Sequence, residues 1–288
     1  MAYLLLTLSI VLSTWRNLFS KKLSGIRFGT RQFFLCQSAL FLCGGAALVI
    51  FGKISFSAVS YKILIYAVVY AVLLILAQWF YTAALAKGNT ALCSTVYSLG
   101  FIFPTLSGAI LWSEEFSFLD FVGILCAVSA IVVSGLKAQA REKASKSYYF
   151  IPLVIAMLAS GGLGIVQKVQ QKSAYADQKS IFLLIAFLLA AGISISFALF
   201  TKKADSDPIR PRKRAVASCI GLFFGCCNLL NTSLAGMLDS AIFFPTLNIG
   251  VILLSMICGV VFFKEKIKRR ELTVLILGLF SILLLNFG

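Results

Sequence analysis

The strongest constraint on this chain is a series of long apolar segments that take up most of its 288 residues. A helix needs about 20 apolar residues to cross the roughly 30 Å hydrocarbon core of a bilayer, and ten segments have about that length. They cover residues 2–20, 31–51, 62–85, 90–112, 117–136, 149–168, 181–201, 215–236, 241–263 and 271–287. Because lipid offers the backbone no hydrogen-bond partners, each segment must satisfy its own peptide groups as a helix. The sequence therefore predicts an all-α membrane protein with ten transmembrane helices.

Composition points to the same class, a multi-pass protein of the cell membrane whose main partner is the lipid bilayer. Hydrophobic residues make up 60% of the chain, charged residues make up 12%, and the mean hydropathy is +0.97. A soluble domain has roughly a quarter charged residues. The first segment follows Met1 without a basic region and shows no convincing cleavage site, so we interpret it as a membrane helix rather than a signal peptide.

The polar positions of the first half recur in the second half at an offset of about 150 residues. With Glu115 placed over Glu265, the matched pairs are Gln78 with Asn228, Tyr81 with Asn231, Thr82 with Thr232, Asn89 with Asp239, Ala91 with Ala241, and Gly100 with Gly250. A mixed-charge linker at 137–147 separates a first five-helix repeat, 1–136, from a second, 148–288. Five helices is an odd number, so the second repeat enters the membrane from the opposite side. Inverted repeats of this kind enclose the midplane sites of many secondary transporters.

The formal charge of +16 comes mainly from Lys and Arg between the apolar segments. Loops after the odd-numbered segments hold 20 of the 26 basic residues, and Arg16 lies inside the first segment. Five are counted with the loops after the even-numbered segments: Lys53, Lys62, Lys168, Lys172 and Lys179. Basic loops stay in the cytoplasm, so this bias predicts both termini outside. Because the basic residues act as orientation signals, we expect no nucleic-acid partner.

Short motifs recur in the same order in both halves, although the prolines do not match: the counterpart of Pro104 is Leu254, and that of Pro245 is Thr95. The motifs are Ala84-Leu-Ala-Lys-Gly-Asn-Thr-Ala91, Pro104, Glu115 and Gly123 in the first half, and Ser233-Leu-Ala-Gly-Met-Leu-Asp-Ser-Ala241, Pro245 and Glu265 in the second. In order and spacing the chain resembles the EamA-type members of the drug/metabolite transporter superfamily. The resemblance implies ten helices in two inverted five-helix repeats and a carrier function. It also implies cytoplasmic termini, opposite to the charge bias, so both orientations stay open.

Polar side chains inside the apolar segments are the candidates for a substrate site, because a polar group that faces hydrocarbon is costly. Gln78 and Tyr81 share one face of the third segment by their spacing of three residues, and Asn228 and Asn231 repeat that face on the eighth. Inverted repeats bring such faces together around a central cavity. The competing interpretation is hydrogen bonding between helices.

Three further residues extend the candidate substrate-binding set. Tyr97 lies on a polar face of the fourth segment, and Asn248 is a polar residue of the ninth segment, which corresponds to the fourth in the second repeat. Arg16 is a charged residue well inside the first segment. Arg16 could hold a substrate carboxylate or phosphate through two parallel hydrogen bonds. Alternatively, it could snorkel toward the basic end of its own helix.

Residues for other kinds of chemistry are missing from the sequence. There is no histidine, the eight cysteines form no Cys-x-x-Cys pair, and no Asp or Glu falls in the middle of a segment. Acid–base catalysis and metal binding need such side chains, so we expect no enzymatic activity, no metal and no cofactor. Glu114, Glu115 and Glu265 lie at segment ends, and we interpret them as helix stops or salt-bridge partners rather than proton carriers.

The expected function is secondary transport. The substrate would be a small metabolite, such as an amino acid or a nucleobase, or a drug, carried by alternating access through a cavity between the repeats. A flippase for a lipid-linked substrate with the same fold is the alternative, and a membrane enzyme or channel is a third class. The chain is expected to act as a monomer or a homodimer.

Overall fold

The computed structural model describes residues 1–23, 30–52, 54, 59–87, 93, 96–135, 150–201, 211–263 and 269–287. The linker 137–147, Asn89, Ala91 and Glu265 lie outside these residues. Within the described ranges the chain forms ten α-helices and two short 3-10 turns. The helices are α1 Ala2–Leu23, α2 Thr30–Phe51, α3 Tyr61–Lys87, α4 Ile102–Trp112, α5 Phe118–Gly135, α6 Phe150–Gln171, α7 Lys179–Phe200, α8 Pro211–Met237, α9 Ser240–Phe263 and α10 Arg269–Phe287.

Seven of these helices, α1, α2, α3, α6, α7, α8 and α9, are long and apolar enough to cross a membrane. The other three helices lie within shorter apolar stretches, Val96–Trp112, Phe118–Val133 and Leu272–Phe287. Because a helix satisfies its own backbone in lipid, these lengths fit an α-helical multi-pass membrane protein.

The fourth segment differs from its predicted form. The sequence predicts one regular span over 90–112, whereas the described part, α-helical at 93 and at 96–98, tightens into a 3-10 turn at Leu99–Phe101 and continues as α4. Pro104, the third residue of α4, has no backbone N–H to donate to the preceding turn. A continuous α-helix would press the Pro104 ring against the carbonyl of Gly100, four residues earlier. The chain therefore winds more tightly at Gly100 and restarts as a regular helix.

Two hydrophobic clusters hold the bundle together. The first joins α2, α3, α7 and α8, with the rings of Phe41 and Phe187 packed edge to face at 5.9 Å between centroids. The second joins α1, α5, α8, α9 and α10, and its rings Phe243 and Phe244 lie 4.7 Å apart. Burial of these aromatic side chains positions the helices that carry the polar groups described below.

Glycines permit the closest helix contact. A Cβ atom placed on Gly225 of α8 would collide with the backbone carbonyl of Gly44 in α2, and one on Gly221 would lie 2.5 Å from the carbonyl oxygen of Leu40. No side chain fits between the two backbones at these points. Gly221 and Gly225 thus allow α8 to pack directly against the backbone of α2.

Helix neighbours are distributed across both halves of the chain. Among the described residues α2 packs against α7 and α8, α3 against α6 and α7, and α1 against α8 and α9. Further contacts join α4 to α6 and α9, and α5 to α10. Most of these contacts pair a helix of the N-terminal half with one of the C-terminal half, so the two halves share one interior.

Candidate functional site

A buried group of three polar side chains joins α3, α6 and α8. The hydroxyl of Tyr70 donates to Oδ1 of Asn228 at 2.5 Å. The amide nitrogen of Gln167 donates to the Tyr70 hydroxyl at 2.8 Å and lies 3.3 Å from the same Asn228 oxygen. All three residues are buried, and we call them the amide cluster. Buried polar groups need hydrogen-bond partners, and here the members of the cluster satisfy one another.

Tyr70 and Gln167 are residues that the sequence interpretation missed. Tyr70 stands alone in the apolar run of the third segment, and Gln167 comes next to Lys168 at the predicted end of the sixth. The tyrosine in this apolar run was itself a signal for a buried polar contact, because a tyrosine hydroxyl needs a hydrogen-bond partner when it is buried.

Two serines of α1 face the asparagine-bearing side of α8. The Ser9 hydroxyl donates to Oδ1 of Asn231 at 2.5 Å, and the Ser13 hydroxyl lies 3.4 Å from the sulfur of Cys227. Ser9 and Ser13 are four residues apart, so they lie on one face of α1. Asn231 is thus paired with the first half of the chain, as Asn228 is through Tyr70.

Aromatic rings and one cation lie close to these polar groups. The rings of Tyr81 and Tyr97 are 4.5 Å apart between centroids. The Arg16 guanidinium lies 5.4 Å from the centroid of the Phe224 ring in α8 and within electrostatic reach of Tyr97. A guanidinium above an aromatic face is attracted by the ring. Arg16 thus contacts α8 through the Phe224 ring and its own helix through Asn17, whose side-chain oxygen accepts a hydrogen bond from the guanidinium at 3.3 Å.

Gln78 and Asn248 do not join the amide cluster. Gln78 is partly buried, and its backbone carbonyl accepts a hydrogen bond from Thr82 at 2.8 Å. The side-chain amide of Asn248 donates to the carbonyl of Phe244 in its own helix at 2.9 Å. Of the seven predicted site residues, the structure thus places Asn228 in the amide cluster, pairs Tyr81 with Tyr97, and sets Asn231 and Arg16 against neighbouring helices.

An ion pair lies at the end of the bundle where α4, α6 and α8 finish. The ammonium group of Lys168 contacts a carboxylate oxygen of Glu114, lies 5.6 Å from the centroid of the Trp112 ring and donates to the carbonyl of Leu238 at 3.4 Å. The Lys168 side chain is fully buried. The sequence interpretation counted Lys168 as a loop charge, and this is corrected here: α6 continues to Gln171, because the carboxylate allows the lysine to stay inside.

Glu114 itself is held on several sides. It follows α4, outside the helices, and its second oxygen accepts a hydrogen bond from the backbone N–H of Ser240, the first residue of α9, at 2.8 Å. A Cβ atom on Gly108 would collide with this oxygen. The salt-bridge interpretation of Glu114 therefore agrees with the structure.

The charge state of Glu114 follows from these contacts. Burial alone would raise the pKa of Glu114, but the hydrogen bonds from Lys168 and Ser240 and the lysine charge outweigh burial and lower that pKa. A carboxylate with a lowered pKa in the folded state adds to stability at neutral pH. This contribution is lost as the pH falls through the lowered pKa.

Comparison with known proteins shows the fold but no family. No protein family model and no curated protein match this chain. Twenty-eight solved chains are similar to it in structure. One of them, described only as "Crystal structure of protein", has a TM-score of 0.78 at 17% identity, over 99% of this chain and 96% of that chain. At this identity the similarity establishes a shared fold over the full length and nothing about activity.

Proposed function

We propose that this chain is a secondary transporter of the cell membrane that carries a small solute by alternating access between its two halves. The observation that carries the proposal is the meeting of polar side chains from both halves inside an apolar bundle. Tyr70 meets Gln167 and Asn228, and Ser9 meets Asn231. Polar groups within membrane helices usually face protein or a solute pathway, and here they lie along the contact between the halves.

The pattern of helix contacts supports two inverted five-helix repeats. If each helix is exchanged for the one five positions away, the pair α1 and α8 becomes α6 and α3, and the pair α1 and α9 becomes α6 and α4. The pair α2 and α8 likewise becomes α7 and α3, while α2 with α7, α4 with α9 and α5 with α10 map onto themselves. All these pairs are in contact. Ten helices across the membrane and an EamA-type carrier fold are the arrangement that we propose from it.

The proposed solute site lies between the halves. Gln78, Tyr81 and Tyr97 would line it, with Arg16 at its edge as the group that binds a carboxylate or phosphate. Asn228 and Asn231 would support its wall, since their side-chain oxygens already accept hydrogen bonds from Tyr70 and from α1.

A binding and transport experiment tests this function. Purified protein is screened by thermal shift against amino acids, nucleobases, sugar phosphates and cationic drugs, and each ligand that stabilises it is then offered to liposomes that contain the protein. We expect at least one such ligand to be taken up. Gln78→Leu should keep the unfolding temperature but weaken binding, because loss of one hydrogen bond costs roughly 1–3 kcal/mol, about 5- to 150-fold in affinity.

Two further variants sharpen the result. Arg16→Leu should abolish uptake of an anionic ligand and spare a neutral one, whereas Ser196→Ala, on the exposed surface of α7, should change neither. A ligand that binds but never enters the liposomes contradicts the transporter proposal. Wild-type affinity in both Gln78→Leu and Arg16→Leu contradicts the site.

A further inference from the structure

We infer that Glu114 and Lys168 form a latch between the two halves of the chain. The latch holds shut the end of the bundle where α4, α6 and α8 finish, and it must part before solute can pass at that end. This inference rests on the proposed transport function, because a latch has a role only if the end opens.

The latch joins parts of the chain that belong to different halves. Glu114 follows α4 in the first half, whereas Lys168 and Leu238 lie in the second, at the ends of α6 and α8. Ser240, which binds the other carboxylate oxygen, begins α9. The carboxylate therefore ties the end of α4 to α6 and α9, and Lys168 extends the contact to Leu238, the residue that follows α8.

The surrounding backbone shows that this end is closed. A Cβ atom on Gly108 of α4 would lie 2.6 Å from Cβ of Ser240, and one on Gly236 of α8 would lie 2.9 Å from Cβ of Gln171 in α6. Both distances are far below an ordinary contact between side chains. The first contact closes α4 of one half against α9 of the other, and the second joins α8 to α6 within the second half. Glu114 must therefore separate from Lys168 and Ser240 before α4 can part from these helices.

An ion pair suits a contact that must form and break. Removal of two charges from water costs about as much free energy as their attraction returns, and both charges regain hydration when the pair opens. An apolar contact would instead expose its surface to water on opening. The other charges that act on Lys168 have opposite effects: Lys172, one turn later, repels it and Asp239 attracts it.

Hydrogen–deuterium exchange of the full-length protein in lipid nanodiscs tests the latch without a substrate. Glu114→Gln removes the negative charge of the pair. Lys168 is then a buried charge without a carboxylate, which strongly destabilises the closed contact. We expect exchange to rise at least roughly tenfold in three segments together, 106–120, 164–172 and 234–244, and to stay unchanged in 181–195 of α7. Lys168→Met should act on the same three segments.

The matched control is Glu115→Gln, which makes the same charge change on the exposed neighbouring residue and should leave all segments as in the wild type. If Glu114→Gln does not fold, the double variant Glu114→Gln/Lys168→Met, which leaves no charge unpaired, takes its place with the same expected pattern. Exchange that is unchanged, or that rises equally over the whole chain, overturns the latch.

The latch and the proposed function fail separately. If the three segments open in Glu114→Gln but no ligand is ever carried into liposomes, the latch stands and the transporter proposal fails. If a ligand is carried and the segments do not respond, the latch alone fails.

Discussion

At the scale of single residues, Asn228 shows how one side chain serves three helices. Its oxygen accepts hydrogen bonds from Tyr70 of α3 and Gln167 of α6, and its amide nitrogen donates to the carbonyl of Phe224, four residues earlier, at 2.8 Å. Since these groups are buried away from water, loss of Asn228 leaves the Tyr70 hydroxyl without an acceptor, while Gln167 keeps its hydrogen bond to Tyr70. The sequence predicts that Asn228→Leu folds normally and transports poorly, and the amide cluster changes that prediction.

We now expect Asn228→Leu to be less stable than the wild type. The substitution buries the Tyr70 hydroxyl without its acceptor, at a cost of roughly 1–3 kcal/mol, and weakens the hold on Gln167. Tyr70→Phe is the matched control, and its effect should be smaller because Gln167 keeps Asn228 as a partner. Thermal unfolding in detergent measures both. Wild-type unfolding temperature with lost ligand affinity in Asn228→Leu would show instead that this residue faces solute.

The candidate site could be predicted only in part, for a reason that also lies at this scale. Asn228 and Asn231 stand out in the sequence because amides are rare within apolar helices. Their partners Tyr70, Gln167 and Ser9 do not stand out, because a partner is chosen by how each helix is rotated against its neighbours. That rotation depends on packing between segments far apart in the chain, which the spacing of residues within one segment does not reveal.

At the scale of elements, helix positions could be predicted well because lipid leaves the backbone one solution per segment. The segment predicted at 31–51 is α2, Thr30–Phe51. The predictions fail where a local interaction overrides hydropathy. A 3-10 turn precedes Pro104 in the fourth segment, and α6 continues past Lys168 because Glu114 neutralises a charge at which a predicted span would end.

The close crossing of α2 and α8 can be tested by adding a methyl group at the point of contact. Gly225→Ala should destabilise the protein by roughly 1–3 kcal/mol, the usual cost of forcing an extra group into a packed site, because its methyl group meets the backbone of Gly44. Gly192→Ala in α7 is the control: no atom lies within 4 Å of the added Cβ, and alanine favours a helix. Folded yield and unfolding temperature distinguish them, and equal stability of the two variants would contradict the close crossing.

At the scale of the whole molecule, the position of Lys168 bears on how the chain is oriented in the membrane. Since the Lys168 side chain is fully buried against Glu114, it is no loop charge, and the excess of basic residues in the odd-numbered loops remains. The sequence-based prediction therefore remains that loop 202–214 is cytoplasmic and both termini are outside.

Thiol labelling on intact cells tests that orientation. Ser206→Cys, outside the described residues, should not react with a membrane-impermeant reagent, whereas Asp177→Cys, exposed in the link between α6 and α7, should react. The parent chain with its eight cysteines supplies the blank. The reverse pattern would place both termini in the cytoplasm, as the EamA resemblance implies.

The backbone contact between Gly44 and Gly225 is a point about which α8 would pivot against α2. Because no side chain lies between the two helices at that point, a tilt of α8 about the crossing would leave the distance there unchanged. Beyond Gly225, α8 continues for 12 residues to Met237, roughly 18 Å at about 1.5 Å per residue. A tilt of about 10° moves the far end by roughly 3 Å, the length of one hydrogen bond. The next residue is Leu238, whose carbonyl accepts the bond from Lys168, so a slight tilt of one helix is enough to break that bond.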